Sequence, residues 1–160
     1  ADVKWVEEAN LHVTMRFLGE ITEEQRQAIE RLLGDIAGKN APVSLRLSGL
    51  GAFPSMSSPR VVWVGIGEGH DVLARMASAL EEGLAGLGLP REEREFTAHI
   101  TVGRVRSSRN LSQLTAALKT YTFVPPEPFV ADHLTLFLST LSSSGPVYTA
   151  LATPRFSQPA

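Results

Sequence analysis

Cysteine is absent from this chain of 160 residues. Its absence excludes disulfides, thiolate zinc sites and a cysteine nucleophile, and it leaves the compartment undetermined, with the cytoplasm as the default expectation. No apolar run reaches the length that a membrane span requires, and no secretory signal pattern is present. We therefore expect no membrane partner.

The sequence also lacks an excess of one charge, with 15 Lys and Arg against 17 Asp and Glu. A net charge of −2 creates no field that would recruit polyanions, so any nucleic acid must be held by a few local contacts. The acidic residues are scattered, and no His-Glu-x-x-His or similar ligand spacing occurs. We predict a single domain over residues 1–160 that acts as a monomer, with no metal and no cofactor.

What the sequence does contain is one short pattern in two copies, His12-Val13-Thr14-Met15 and His99-Ile100-Thr101-Val102. Each copy lies in an apolar, β-branched run that is typical of a half-buried strand. Side chains alternate along a strand, so the His and the Thr of each copy share one face. The first copy also places Arg16 on this face.

An imidazole beside a hydroxyl, present twice, is suited to proton transfer around an anionic centre. Of two histidines, one protonates a leaving oxygen while the other activates the nucleophile. The hydroxyls of Thr14 and Thr101, whose side chains have few rotamers, would then donate hydrogen bonds to phosphate oxygens. Arg104 would add a bidentate, charge-assisted hydrogen bond to the same phosphate. Strict alternation puts Arg104 on the wrong face for this, but Gly103 would permit a bulge that re-aims it.

Other residues invite more ordinary interpretations. A third match, His133-Leu134-Thr135-Leu136, lacks the turn and helix that follow the other two copies, so we expect His133 to be structural or exposed. His70 should be solvated near a helix start. Trp63 and Phe17 are expected in the core.

The pattern along the chain predicts an α+β fold. A capping box at Thr22–Gln25 opens a helix from Glu23 to about Ala37, and a Pro/Ser/Gly loop that contains Gly51–Pro54 separates two strands. The remaining predicted elements are strands at Val43–Leu50, Arg60–Ile66, Phe129–Ser139 and Val147–Phe156, with helices at Val72–Leu87 and Leu111–Lys119. Strand, turn, helix, strand occurs twice, which predicts two similar lobes, each an antiparallel sheet with helices on one side. The two motif strands would face each other across a cleft.

These residues resemble the 2H phosphoesterases, and more closely the RNA 2′,3′-cyclic phosphodiesterases once named 2′-5′ RNA ligases. Both His-x-Thr-x motifs match, and so does their surrounding sequence. The matching segments are Asn10-Leu11, Phe17–Glu20, Gly51–Pro54, Arg60–Trp63, Gly103-Arg104 and Gly145–Tyr148. The likeness covers essentially the whole chain, although the strand and helix that usually precede the first motif are missing, and with them an aromatic base contact.

The resemblance implies a bilobal fold with a pseudo-two-fold cleft and metal-independent opening of RNA 2′,3′-cyclic phosphate ends to 2′-phosphates. By this likeness His12 donates a proton to the departing 3′ oxygen and His99 accepts one from water. Thr14, Thr101 and Arg104 would bind the phosphate. The reverse reaction would join RNA ends without ATP.

Two alternatives stay open beside this enzyme. A module with the same residues could bind a nucleotide or RNA end without turnover, or the substrate could be a small cyclic or 2′-5′-linked nucleotide. Two surface features are equally open. Phe53 is either a base stacker or a core anchor, and the basic residues around the second motif are either an RNA path or ordinary surface: Arg91, Arg94, Arg106 and Arg109.

Overall fold

The computed structural model describes residues 1–157, which form an α+β fold with antiparallel sheets, as predicted. The strands are β1 (Val3–Trp5), β2 (Val43–Leu45), β3 (Leu47–Pro54), β4 (Pro59–Ile66), β5 (His99–Val105), β6 (Phe129–Ala131), β7 (Leu136–Ser142) and β8 (Gly145–Ala152). The helices are α1 (Glu23–Gly38), α2 (His70–Gly86) and α3 (Leu111–Thr120), with a short 3-10 helix at Glu8–Asn10.

The chain divides into two compact units. Unit 1 comprises residues 1–15, 45–71 and 97–129, and unit 2 comprises residues 16–44, 72–96 and 130–157. Unit 1 contains a four-stranded antiparallel sheet in the order β1-β5-β4-β3. It also contains α3, so each unit includes at least one helix beside its strands.

The sheet of unit 1 has one apolar face. Val62, Val64 and Ile66 alternate along β4 and are all buried, as two-residue periodicity requires of a face that packs on a core. Leu118 of α3 packs with Val62 and with Ala52 of β3 in one cluster. Because α3 covers this face, the other face of the sheet is left for the polar side chains of β5.

Unit 2 contains α1, most of α2 and the β7–β8 hairpin. The predicted capping box is present at α1, where the Thr22 hydroxyl accepts from the Gln25 amide and the Gln25 side chain accepts from the Thr22 amide. The two helices approach closely, since a side chain at Gly83 would overlap Leu32. The predicted turn joins β7 to β8 at Ser142 and Gly145.

Several local expectations are wrong, and the strands predicted at Val43–Leu50 and Phe129–Ser139 are each divided in two. The run around the first motif forms no regular strand and pairs only through the single bridge at Val13. Gly51–Pro54 is not a loop but the end of β3, because its backbone pairs with β4. Strand β1 was not predicted, since a segment of three residues is too short to show alternation.

Candidate active site

The two motifs lie side by side in unit 1. Val13 and Ile100 form an antiparallel bridge, so the two chains run past each other at this point. We expected the motif strands to face each other across a cleft, and the structure instead pairs them edge to edge. An antiparallel bridge relates its two chains by a local two-fold axis. The two copies of the motif are therefore related by an approximate two-fold axis at the bridge.

The residues that flank the bridge share one face of the sheet. Ile100 pairs with Val64 of β4, whose side chain is buried in the core. The alternate residues of β5, His99 and Thr101, therefore point away from the core. His12 and Thr14 directly flank Val13, as His99 and Thr101 directly flank Ile100.

Both imidazoles make the same hydrogen bond to the backbone. Nδ1 of His12 lies 2.6 Å from the carbonyl oxygen of Asn10, and Nδ1 of His99 lies 2.7 Å from that of Thr97. A carbonyl oxygen only accepts, so Nδ1 carries the hydrogen in each ring. Nε2 is then the ring nitrogen that can gain or lose a proton. In both rings, the hydrogen bond that fixes the orientation goes to the backbone carbonyl two residues earlier in the chain.

A bulge brings Arg104 to the same face. Thr101 pairs with Trp63 of β4, but Gly103 pairs with Val62, so β5 contains one extra residue between them. Arg104 next pairs with Val61, which shares a face with Trp63 because β4 alternates regularly. The bulge inferred from Gly103 is present, and it sets Arg104 and Thr101 on one face.

Two aromatic rings enclose His99. The Phe53 ring meets the imidazole edge-on at a centroid distance of 5.2 Å, and the Trp63 ring lies 5.8 Å away. Trp63 was expected in the core, but its indole lies on the His99 face and crosses Gly51, where a Cβ would come within 2.2 Å of the ring. Its indole nitrogen is buried with no hydrogen-bond partner in the described chain.

Sequence reasoning missed the two rings of Phe53 and Trp63 beside His99, which we call the aromatic wall. The available signal was a glycine in a strand, Gly51, directly across from a tryptophan, since an aromatic side chain often covers a strand glycine. Phe53 packs on Trp63 at 5.2 Å and keeps 39% of its surface exposed. It is thus part of the wall around His99 and still accessible.

Three further residues lie in surroundings other than those expected from the sequence. Arg16 does not join the motif residues but pairs with Glu81 at 2.5 Å, because pairing of the motif segment ends before it. Phe17 is 75% exposed rather than in the core. His70 begins α2 and its Nε2 accepts from the Ala98 amide at 3.1 Å, so it is structural rather than solvated.

The third His-x-Thr match belongs to a different unit from the other two. His133 belongs to unit 2 and its Nδ1 contacts the Asp132 carboxylate at 2.6 Å, which lowers the pKa of Asp132. Its side chain is 46% exposed. The expectation that His133 is structural or exposed is confirmed.

Part of the basic surface is already paired. Arg94 forms a salt bridge with Glu92, and Arg106 forms one with Asp2 at 3.1 Å.

Within residues 1–157 no cluster of three or more His, Asp or Glu side chains could hold a metal ion. None of the helices in that part of the chain is long and apolar enough to cross a membrane.

The fold and the duplicated His-x-Thr motif define a class of protein. Residues 2–140 match the family model of the 2′-5′ RNA ligase superfamily, and the chain belongs to that family.

The relatives within the family are consistent in name. An RNA 2′,3′-cyclic phosphodiesterase of Aquifex aeolicus is 36% identical over 92% of this chain and 79% of its own length. One of Archaeoglobus fulgidus is 38% identical over 93% of this chain and 81% of its own length. Among solved structures, a protein of Thermus thermophilus, TT0787, superposes with a TM-score of 0.79 at 27% identity, covering 97% of this chain and 82% of that one.

A second solved structure carries a nucleotide. Escherichia coli LigT complexed with 3′-AMP gives a TM-score of 0.76 at 28% identity, covering 98% of this chain and 83% of that one.

Proposed function

We propose that this protein is an enzyme that hydrolyses the 2′,3′-cyclic phosphate at the end of an RNA to a 2′-phosphate. The observation that carries this proposal is the antiparallel bridge between Val13 and Ile100, which brings two His-Thr pairs together in one unit. The names of the relatives support the same activity.

The chemistry needs one imidazole in each protonation state. Nε2 of neutral His99 takes a proton from water as the water oxygen bonds to phosphorus. The bond between phosphorus and the 3′ oxygen breaks, and Nε2–H of protonated His12 gives its proton to that oxygen. The product has a 3′ hydroxyl and a 2′-phosphate. Proton exchange with solvent restores both rings.

The neighbouring polar groups would bind the reacting phosphate. Thr14 and Thr101 each lie two residues after a motif histidine, and their hydroxyls would donate to the non-bridging oxygens. Arg104, turned to this face by the bulge, would offset the charge that grows on those oxygens in the transition state. With the 5′ hydroxyl of a second RNA in place of water, the same groups would join the two ends through a 2′-5′ phosphodiester without ATP, because opening the cyclic phosphate releases its strain.

The substrate would be an RNA end or a related nucleotide. LigT in complex with 3′-AMP supports nucleotide binding by this fold. Phe53, exposed at the edge of the aromatic wall, would contact the base of the terminal nucleotide.

Single substitutions test the assignment of the two histidines. His12→Ala and His99→Ala should each lower kcat on a cyclic-ended oligoribonucleotide about 10²–10⁴-fold, the usual contribution of a general acid or base. His133→Ala is the matched control, with the same motif letters in unit 2, and should keep wild-type activity. If His133→Ala were as damaging as the other two changes, the site would be wrongly placed.

The same assay separates the alternatives. Saturable binding of a 2′-phosphorylated nucleotide by folded protein that forms no product would indicate a binding module instead. Faster turnover of a cyclic mononucleotide or a 2′-5′ dinucleotide than of the cyclic-ended oligomer would assign the site to small nucleotides.

A further inference from the structure

We propose that Lys4 is a specificity-determining residue that binds the phosphate joining the terminal nucleotide of the RNA to its 5′ neighbour. The proposal rests on the function proposed above and names a contact beyond the reacting phosphate. The observation behind it is that Lys4 of β1 and Arg104 of β5 are direct cross-strand partners.

The register puts both cations on the face of the two histidines. Arg104 shares that face with Thr101 through the bulge in β5. Directly paired residues of antiparallel strands project to the same side, so Lys4 projects there too. Lys4 is exposed, as a residue that contacts a ligand must be.

Strand β1 is held firmly enough to fix this placement. On the opposite face Trp5 pairs with Gly103, and a Cβ at that glycine would lie 2.7 Å from the Trp5 ring. The Val6 amide donates to the Val102 carbonyl at 2.9 Å. Asp2 anchors the other end through Arg106 and Ser107. Val3, the other neighbour of Lys4, pairs with Val105, so both neighbours of Lys4 are tied to β5.

Like charges directly opposite each other in a sheet repel, and no carboxylate in the described part of the chain pairs with either cation to offset the repulsion. Neither Lys4 nor Arg104 forms an ion pair within residues 1–157, whereas several other arginines do: Arg16, Arg26, Arg94, Arg106 and Arg155. A bound anion would relieve the repulsion. Two adjacent cations suit two adjacent phosphates better than the single charge of one cyclic phosphodiester.

The distances fit a second phosphate. Strands rise about 3.3 Å per residue, so the Lys4–Arg104 pair lies roughly 10 Å along the sheet from Thr101, within reach of long side chains on both partners. In the proposed complex Arg104 would reach the reacting phosphate beside Thr101. The Lys4 ammonium then meets the next phosphate, which lies one ribose toward the 5′ end.

Two substrates isolate this contact. A dinucleotide that ends in a 2′,3′-cyclic phosphate contains one internucleotide phosphate, and a 2′,3′-cyclic mononucleotide with a 5′ hydroxyl contains none. Lys4→Ala should lower kcat/KM on the dinucleotide about tenfold, the effect expected for loss of one charged hydrogen bond. It should leave the mononucleotide within about twofold.

Two further variants serve as controls. Lys4→Arg should restore most of the activity on the dinucleotide, because the charge is kept. Lys119→Ala removes an exposed lysine of α3 and should change neither substrate. In a salt titration with the dinucleotide, Lys4→Ala should lower the slope of log kcat/KM against log salt by about one, as expected for one lost phosphate contact.

The proposal would be overturned by equal losses on the two substrates, which would place Lys4 at the reacting phosphate, or by no loss on either. Calorimetric binding of 2′-phosphorylated products separates this test from the test of catalysis. If the wild type turned over neither substrate, the proposed function would fail. A selective loss of dinucleotide affinity in Lys4→Ala would still support the Lys4 contact, and an unchanged affinity would refute it.

Discussion

The imidazoles of His12 and His99 are each hydrogen-bonded to the backbone. Each Nδ1–H donates to the carbonyl two residues earlier, at 2.6 and 2.7 Å. Such an acceptor moves only when the chain itself moves, and it fixes the tautomer of the neutral ring. In both halves of the repeat, Nε2 is therefore the atom to which we assign the proposed acid or base role.

We predict that both rings, when neutral, are the Nδ1–H tautomer. Nitrogen-15 correlation spectra of uniformly labelled protein at high pH would show this directly, with His12→Ala and His99→Ala used to assign the signals. An Nε2–H tautomer at either position would contradict the hydrogen bonding described here and leave that histidine without its proposed role.

Gly51 is a sensitive position although it lies outside both motifs. A Cβ there would overlap the Trp63 ring at 2.2 Å, and that ring packs on His99. Gly51→Ala should therefore displace the indole, lower kcat and destabilise the fold by about 1–3 kcal/mol, the usual cost of overpacking.

Gly49→Ala is its matched control. It lies in the same strand, and an added Cβ there meets nothing within 4 Å. Kinetics and thermal unfolding of the two variants would check the prediction. Equal behaviour of Gly51→Ala and Gly49→Ala would show that Trp63 does not position His99.

The carboxylate of Asp2 links the start of strand β1 to the residues that follow β5. Asp2 accepts from the Ser107 hydroxyl at 2.8 Å and from Arg106 at 3.1 Å. The Ser107 hydrogen bond, aided by the charge of Arg106, lowers the pKa of Asp2 from its ordinary value of 3.8. The folded state therefore favours the charged form of this group.

The sign of the pH dependence follows from that direction. The contribution of Asp2 to stability is fully present above pH 3.8 and is lost as pH falls through its lowered pKa. The difference in thermal unfolding temperature between wild type and Asp2→Asn should thus be constant near neutral pH and shrink in acid. Asp35→Asn, at an exposed position of α1, is the control. A difference that grows in acid would contradict this account.

Elements with strong local signals were predicted well. Helix α1 begins at the capping box of Thr22 as expected, because both of its hydrogen bonds are local in sequence. The segment of the first motif was predicted as a full strand because its residues favour one. It pairs only at Val13, since the chain soon leaves unit 1 and Arg16 pairs with Glu81.

Across the whole chain, sequence alone identified the family and the residues of the repeat, because both are written in contiguous motifs. It could not place the two motifs edge to edge, nor show that Trp63 lies beside His99. Those facts depend on which strands pair and in which register. His133 makes the same point, because its motif letters match while the fold places it in unit 2.

The measurement that tests the central claim most directly is the identity of the product. The protein is incubated with an oligoribonucleotide that ends in a 2′,3′-cyclic phosphate, in EDTA, and 2′- and 3′-phosphate products are resolved. The account predicts a 2′-phosphate, formed without added metal and lost in His12→Ala and His99→Ala. A 3′-phosphate, or no product from well-folded protein, would contradict it.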